Sequence, residues 1–322
     1  MDERAGPVAA LDCGTNSTRL LVVGTDGTVL ERLMRITRLG EGVDATHRLS
    51  PEAVARTVSV LTDYRTVMDR HGVVRARLVA TSAARDATNA EEFLSASLDV
   101  TGVPPEILTG LEEGALSFAG ATAHVPHEAL GPGPVLVVDI GGGSTELVAG
   151  ELVASELAPS GPRGAPASVA AVSLDVGCVR VTERFLHHDP PWPDELSRAR
   201  RTVDAQLARA RAELPPLAPG GLLIGLAGTV STLAALDQRL ARYQREAVHH
   251  LVLGRDKVAH WLETLVAEDS RARLARPGMV EGRADVIAGG VLILDAVMDG
   301  FDRDACLVSE DDILDGLAAT LL

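Results

Sequence analysis

Lysine is nearly missing from this sequence: among 30 basic residues, Lys257 is the single one. A Walker-type phosphate loop needs a lysine beside its glycines. Gly-Arg-Asp-Lys-Val at 254–258 is no such loop, so that class of nucleotide site is excluded. Positive charge here means arginine. Aromatic residues make up only 2%, which leaves Ala, Leu and Val to build the cores. Cysteine is equally scarce: Cys13, Cys178 and Cys306 are far apart and form no CxxC pair. That spacing excludes a zinc cluster or a disulfide frame and reads as buried, reduced thiols of a cytosolic protein. Net positive charge is lacking too. At −15 the chain is a poor generic nucleic-acid binder, which needs a broad basic surface. An anionic ligand in a locally positive cleft stays compatible with that total. The densest apolar run, Val286 to Leu294, is bounded by Asp285 and Asp295 and is far too short to span a bilayer. Met1-Asp2-Glu3-Arg4 has none of the features of a signal peptide. The expectation is a cytoplasmic protein with neither membrane nor nucleic acid as partner.

The 322 residues, 46% hydrophobic and 23% charged, suit two ordinary globular domains. An internal repeat organises them. Residues 9–23 contain Leu-Asp-Cys-Gly-Thr-Asn-Ser-Thr-Arg-Leu, and residues 136–148 read Leu-Val-Val-Asp-Ile-Gly-Gly-Gly-Ser-Thr-Glu-Leu-Val. A shift of 127 positions places Asp12 on Asp139, Gly14 on Gly141, Ser17 on Ser144 and Thr18 on Thr145. Each copy reads as strand, turn, strand. A Gly/Pro-rich stretch, Val125 to Pro134, precedes the second copy and reads as a connection. Helices are predicted over 51–70, 90–98, 112–123, 192–214, 231–242, 284–298 and at the C-terminus. Strands are predicted over 77–81, 168–176, 221–227 and 305–309, and an exposed hairpin insertion over 155–168. Alternating strands and helices give an α/β class. Duplicated turns suggest two similar lobes around one cleft, with 1–124 plus 303–322 as the first and 125–302 as the second.

The turns carry the first candidate chemistry. Gly141, Gly142 and Gly143 let backbone N–H groups converge into an anion nest, and Ser144 and Thr145 add hydroxyls. Thr15, Asn16 and Ser17 supply the same from the first copy. One such turn alone is more often a plain hairpin; two copies, each preceded by an aspartate (Asp12, Asp139), point to phosphate. Gly228-Thr229-Val230-Ser231 is a weaker third turn, between a strand and a helix N-terminus, where unpaired N–H groups favour anions. Asp139 and Glu146 flank the second turn. Two carboxylates beside a phosphate nest repel it unless a cation lies between, and Mg²⁺ prefers such oxygen ligands. Glu112 and Glu113 open a helix, where a carboxylate is ordinarily only a dipole complement. His187-His188 and His249-His250 are adjacent pairs and read as loop residues rather than metal ligands.

These segments, with Ala-Thr-Ser-Ala-Ala-Arg-Asp-Ala-Thr-Asn at 80–89, Leu-Thr-Gly-Leu-Glu-Glu-Gly at 108–114, Asp-Val-Gly-Cys-Val at 175–179, Ala-Gly-Thr-Val at 227–230 and Arg-Ala-Asp-Val-Ile-Ala-Gly-Gly at 283–290, resemble the exopolyphosphatase/guanosine-pentaphosphate phosphohydrolase (Ppx/GppA) family. The resemblance covers nearly the whole chain. It implies two actin-like (ribonuclease H-like) lobes of the actin/sugar-kinase superfamily around an interdomain cleft. It implies Glu113 as general base, Asp139 and Glu146 as holders of Mg²⁺ (or Mn²⁺), and Arg19, Arg85 and Arg283 as phosphate-facing, together with Asp12, Gly14, the turns above, Gly228 and Thr229. The implied substrate is inorganic polyphosphate, with pppGpp hydrolysis or (p)ppGpp sensing as the alternative. Two departures stand out. Leu314 in Asp-Ile-Leu-Asp-Gly (312–316) replaces the family's arginine, and the helical C-terminal domains of longer relatives are lacking. Short polyphosphate is therefore the expected preference, against the competing expectation of a long groove formed by a homodimer.

Overall fold

The computed structural model describes residues 6–126, 129, 133–151 and 169–322. The chain divides into two units, residues 1–120 with 313–322, and residues 121–312.

The first unit opens with strands β1 (Val8–Cys13), β2 (Ser17–Val23) and β3 (Val29–Ile36). Then come helices α1 (Val43–Thr46) and α2 (Pro51–Arg70), strand β4 (Arg75–Ala80), helices α3 (Ser82–Asp86) and α4 (Ala90–Thr101), strand β5 (Pro105–Ile107) and helix α5 (Gly110–Thr122). The boundary between units falls in the last turn of α5. Helix α2 begins where the sequence predicts: Ser50 accepts the Ala53 N–H at 3.2 Å, and Pro51 fills the first helical position. Its buried residues Ala53, Thr57, Leu61, Tyr64 and Met68 recur at helical spacing. The sheet order is β3-β2-β1-β4-β5, with β1 antiparallel to β2 and parallel to β4.

The second unit repeats this plan with β6 (Val135–Ile140), β7 (Thr145–Gly150), β8 (Val169–Leu174), helices α6 (Cys178–Phe185) and α7 (Pro193–Glu213), then β9 (Leu223–Leu226) and α8 (Ala227–Asp237). Helix α9 (Arg245–Val248), strand β10 (Val252–Gly254), helices α10 (Arg255–Val266), α11 (Ser270–Leu274) and α12 (Ile287–Gly300), and strand β11 (Ala305–Val308) complete it. Its sheet runs β8-β7-β6-β9-β11-β10. Apart from the extra edge strand β10, this is the order of the first sheet. Both are the ribonuclease H-like arrangement that an actin-like duplication requires. The chain then returns to the first unit with α13 (Ile313–Ala319).

In the first sheet, alternate residues face two cores. Ala9, Leu11, Leu20 and Val22 join residues of α2 and α4, while Val8, Ala10, Leu21 and Val23 join α13. Leu314, at the position of the family's arginine, belongs to the second of these cores and is 1% exposed. An apolar side chain there is a packing residue. In the second unit, α8 and α12 are buried almost throughout.

Two expectations need correction. Residues 303–312 belong to the second unit, because β11 pairs with β9 and β10. The helix predicted from Ser231 starts at Ala227, so Gly228 and Thr229 lie in its first turn. Helix α10 was not foreseen, although Val258, Trp261, Leu262 and Leu265 recur at helical spacing. The hairpin predicted over 155–168 lies outside the described residues.

Candidate active-site residues

The two predicted hairpins have the same turn. The Gly14 N–H donates to the Ser17 carbonyl at 2.9 Å, and the Gly141 N–H donates to the Ser144 carbonyl at 3.0 Å. In each unit the segment after the third strand is fastened to the turn's carbonyls. The N–H groups of Thr37 and Arg38 reach Asn16 O, both at 3.0 Å, and Gly40 reaches Thr15 O at 2.9 Å. In the second unit Cys178 donates to Gly141 O (2.9 Å), and Val179 and Arg180 donate to Gly142 O (2.9 and 3.1 Å). The approach is close: a Cβ on Gly177 would lie 2.4 Å from Gly142 O, so only glycine fits there. The threonine hydroxyls expected to face phosphate are engaged within the protein. Thr15 shares a hydrogen bond with Ser82 at 2.9 Å, and Thr145 donates to Val176 O at 2.6 Å. Asn16, Ser17, Gly141 and Gly142 remain partly accessible, whereas Gly143 and Ser144 are buried.

The charges on the two hairpins differ. Asp12 and Arg19 are directly opposite in register, and both Nε and Nη2 of Arg19 donate to Asp12 Oδ2, at 2.9 and 2.6 Å. At the matching places of the second hairpin, Asp139 is directly opposite Glu146. Both carboxylates are buried, at 8% and 1% exposure. Ser173, opposite Glu146 on β8, donates to Glu146 Oε1 at 2.8 Å. Sequence reading missed Ser173, because no local pattern reports the β7–β8 register. The donor set, two hard oxygen ligands on one sheet face, suits a Mg²⁺ ion that keeps part of its water shell. Among the described residues no group of three or more His, Cys, Asp or Glu side chains could hold a metal alone.

The adjacent glutamates of α5 have opposite fates. Glu112 accepts both the N–H and the hydroxyl of Thr109 at 2.8 Å, while its own N–H donates to Thr109 Oγ1 at 3.3 Å. This is a reciprocal capping box, and the Thr109 N–H holds the Glu112 carboxyl below the usual glutamate range. Glu113 is buried, and its Oε2 lies 3.4 Å from Arg85 Nη1. Arg85, near the end of α3, is itself anchored on Leu108 O at 2.8 Å. Glu113 and Arg85 are thus brought together, and Glu112 is turned to structure.

The third motif is tied to Arg283. Nη1 of Arg283 donates to Gly228 O at 3.0 Å and to Thr232 Oγ1 at 2.7 Å. A Cβ on Gly228 would meet the guanidinium carbon at 2.7 Å. Just before it, Ala227 has φ 66, a left-handed conformation that a residue with a Cβ rarely adopts. Such strain costs of order 1–3 kcal/mol and tends to persist at functional sites. Composition carries no sign of it.

All three cysteines are buried and free. Burial pushes the Cys178 thiol up to about 11 and the Cys306 thiol up to about 12, and it raises Cys13 as well. None is a thiolate ligand or nucleophile near neutral pH. His188 sits in a loop, stacked on Trp192 and 2.8 Å from Glu195 Oε1; His249 and His250 occupy a turn. Among the described residues, no helix is long and apolar enough to cross a membrane.

With this geometry in view, the likeness to known proteins can be stated. Residues 22–321 match the Ppx/GppA phosphatase family. Exopolyphosphatase 2 of Mycobacterium tuberculosis is 42% identical over 98% of both chains. A guanosine-5'-triphosphate,3'-diphosphate pyrophosphatase of Vibrio campbellii is 31% identical over 96% of this chain but only 58% of its own length. The crystal structure of an exopolyphosphatase-like protein superposes with a TM-score of 0.86 at 35% identity, over 98% of this chain and all of the other.

Proposed function

This chain belongs to the Ppx/GppA phosphatase family, and on that premise we propose that it is an exopolyphosphatase releasing orthophosphate from the end of inorganic polyphosphate. The observation that carries the reading is the buried pair Asp139 and Glu146, directly opposed beside a glycine turn. Like charges facing across a strand pair destabilise a sheet. A cation held between them would offset that repulsion. Asp139 and Glu146 would hold Mg²⁺, or Mn²⁺ in its place. When bound, the metal neutralises charge on the terminal phosphate oxygens.

Glu113 acts as general base. Arg85 holds its carboxylate in one orientation, and Glu113 takes a proton from water as the water oxygen bonds to the terminal phosphorus. The bridging P–O bond breaks, and the shortened chain leaves with the electron pair. Orthophosphate and a chain one unit shorter result. Backbone N–H groups of the 141–144 turn and the start of α8 stabilise charge on the equatorial oxygens. Such chemistry needs positioning and charge rather than a covalent nucleophile. The polyphosphate assignment leans on the relative matched end to end. A second reading, removal of the 5'-phosphate of guanosine pentaphosphate, is favoured by the Vibrio relative.

The net charge of −15 gives poor long-range attraction for a polyanion, so binding rests on the local field of turns and arginines. Short chains are therefore favoured. Phosphate release is measured under Mg²⁺ titration on short polyphosphate, long polyphosphate and pppGpp at equal concentration of ends. We expect the highest kcat/KM on short polyphosphate, lost on chelation. A higher value on pppGpp establishes the second reading. A steady rise with chain length refutes the short-chain preference.

A further inference from the structure

Each turn is fastened by two successive N–H groups that share one carbonyl, and in both units the second donor is an arginine. Thr37 and Arg38 donate to Asn16 O, both at 3.0 Å, and Val179 and Arg180 donate to Gly142 O at 2.9 and 3.1 Å. This agreement lies outside the sequence repeat. Ile-Thr-Arg-Leu-Gly at 36–40 and Cys-Val-Arg-Val-Thr at 178–182 have only the arginine in common. The local structures differ as well: Arg38 lies in a loop with φ 49, whereas Arg180 is the third residue of α6. Two unlike backbones thus bring an arginine to the same place beside a turn.

Neither backbone asks for that residue. A left-handed position favours glycine or asparagine, and the first turn of a helix favours acidic side chains. In both units the flanking residues are buried (Thr37 and Leu39, Val179 and Val181) while the arginine between them is half-buried. The unfavourable conformation of Arg38 is held from several sides. Arg56 donates from Nε to Thr37 O at 3.0 Å and approaches Arg38 O with Nη2 at 3.5 Å. The hydroxyls of Thr37 and Thr18 are bonded at 2.8 Å, and the Gly40 N–H reaches Thr15 O at 2.9 Å. Strained backbone persists where its surroundings over-determine it, and it clusters at functional sites. The charges of the hairpins give such arginines a task. Arg19 is held by Asp12, and the second hairpin carries two carboxyl groups, so neither hairpin adds net positive charge at its turn. A guanidinium offers a planar fork of donors that matches phosphate oxygens.

We propose that Arg38 and Arg180 are phosphate-binding residues, each presenting its guanidinium to substrate at the turn on which its own N–H is held. This rests on the phosphatase reading above and adds two residues that motif spacing did not reveal. The fastening uses backbone N–H groups, so replacing either side chain leaves those donors in place. Two measurements on the full chain with Mg²⁺ test it: phosphate release from tripolyphosphate, and the tripolyphosphate dissociation constant obtained from thermal shifts. Arg38→Ala and Arg180→Ala should each raise KM and the dissociation constant about tenfold, the scale of one lost charge-assisted contact. Arg38→Lys and Arg180→Lys, which keep the charge and lose the fork, should fall between these and the parent. Where Arg38→Ala fails to fold, Arg38→Gly, which suits the left-handed φ, takes its place. Arg35→Ala removes an exposed arginine of β3 and should change either value by less than about twofold, as screening of an exposed charge implies. A folded variant of Arg38 or Arg180 to alanine that binds tripolyphosphate like the parent overturns the proposal, and so does an equal loss in Arg35→Ala. A parent that binds tripolyphosphate but releases no phosphate overturns the phosphatase reading instead, and the binding comparison still decides the role of the two arginines.

Discussion

The two hairpins share a backbone and differ in one charged residue. Both have the Asp-x-Gly-x-x-Ser-Thr turn, the same glycine-to-serine hydrogen bond and a similar fastening by the segment after the third strand. In the first, Asp12 meets Arg19 and the pair is neutral. In the second, Asp139 meets Glu146, and two carboxyl groups face each other in a buried place. A fold that needed only a stable hairpin would repeat the first solution. The second gives up local stability, and in the reading proposed above it would gain a place for a cation. A duplicated scaffold can thus keep its geometry while the side chains facing across its two hairpins differ.

The largest effect should come from the carboxylate that neither hairpin supplies. Glu113→Gln is expected to lower kcat by at least about 10²-fold with the fold intact, the scale of lost general-base help. Near-normal turnover would remove Glu113 from the mechanism and return attention to the hairpins. Next comes a direct exchange of hairpin types. Glu146→Arg rebuilds the first pairing in the second hairpin. It should cost about 10²–10³-fold in kcat, as loss of one preorganised electrostatic element does, while the thermal midpoint holds or rises. Mg²⁺ should raise the midpoint of the parent and leave that of Glu146→Arg unmoved. Equal shifts in both proteins would separate the carboxylate pair from the metal.

The reverse test acts on stability. Arg19→Ala leaves the buried Asp12 without its guanidinium and should cost about 1.5–3 kcal/mol in denaturant unfolding. Asp12→Asn in the same chain should return part of that. If Arg19→Ala unfolds like the parent but binds substrate poorly, the first hairpin is also a phosphate site. The smallest effect belongs to Glu112→Gln. Glutamine preserves the cap, so kcat should stay within a few-fold of the parent, with a stability change below about 1 kcal/mol.

Much of this was legible in the linear order. The repeat at 12–20 and 139–147, the strand–turn–strand reading of each copy, the helix at 51–70 and the buried thiols all follow from spacing and local propensity. Helix caps, glycine turns and apolar periodicity act over a few residues, so a one-dimensional string contains them. The α/β class and the arginine-only cationic chemistry follow the same way.

What the string could not settle is which side chain each candidate meets. Glu112 and Glu113 are neighbours of one type, yet Thr109 takes the first and Arg85, 28 residues away, takes the second. Arg283 finds Gly228 across 55 residues, and Ser173 finds Glu146 across 27. Leu314 replaces an arginine and is drawn into a core with Val8 and Ala10. Strand register and helix docking decide these contacts, and both are set by burial of apolar surface summed over a whole unit. Local sequence determined where the turns form and that the second hairpin holds two carboxylates where the first has an aspartate and an arginine; only the packed sheets decided which distant partners Glu113, Glu146 and Arg283 would meet.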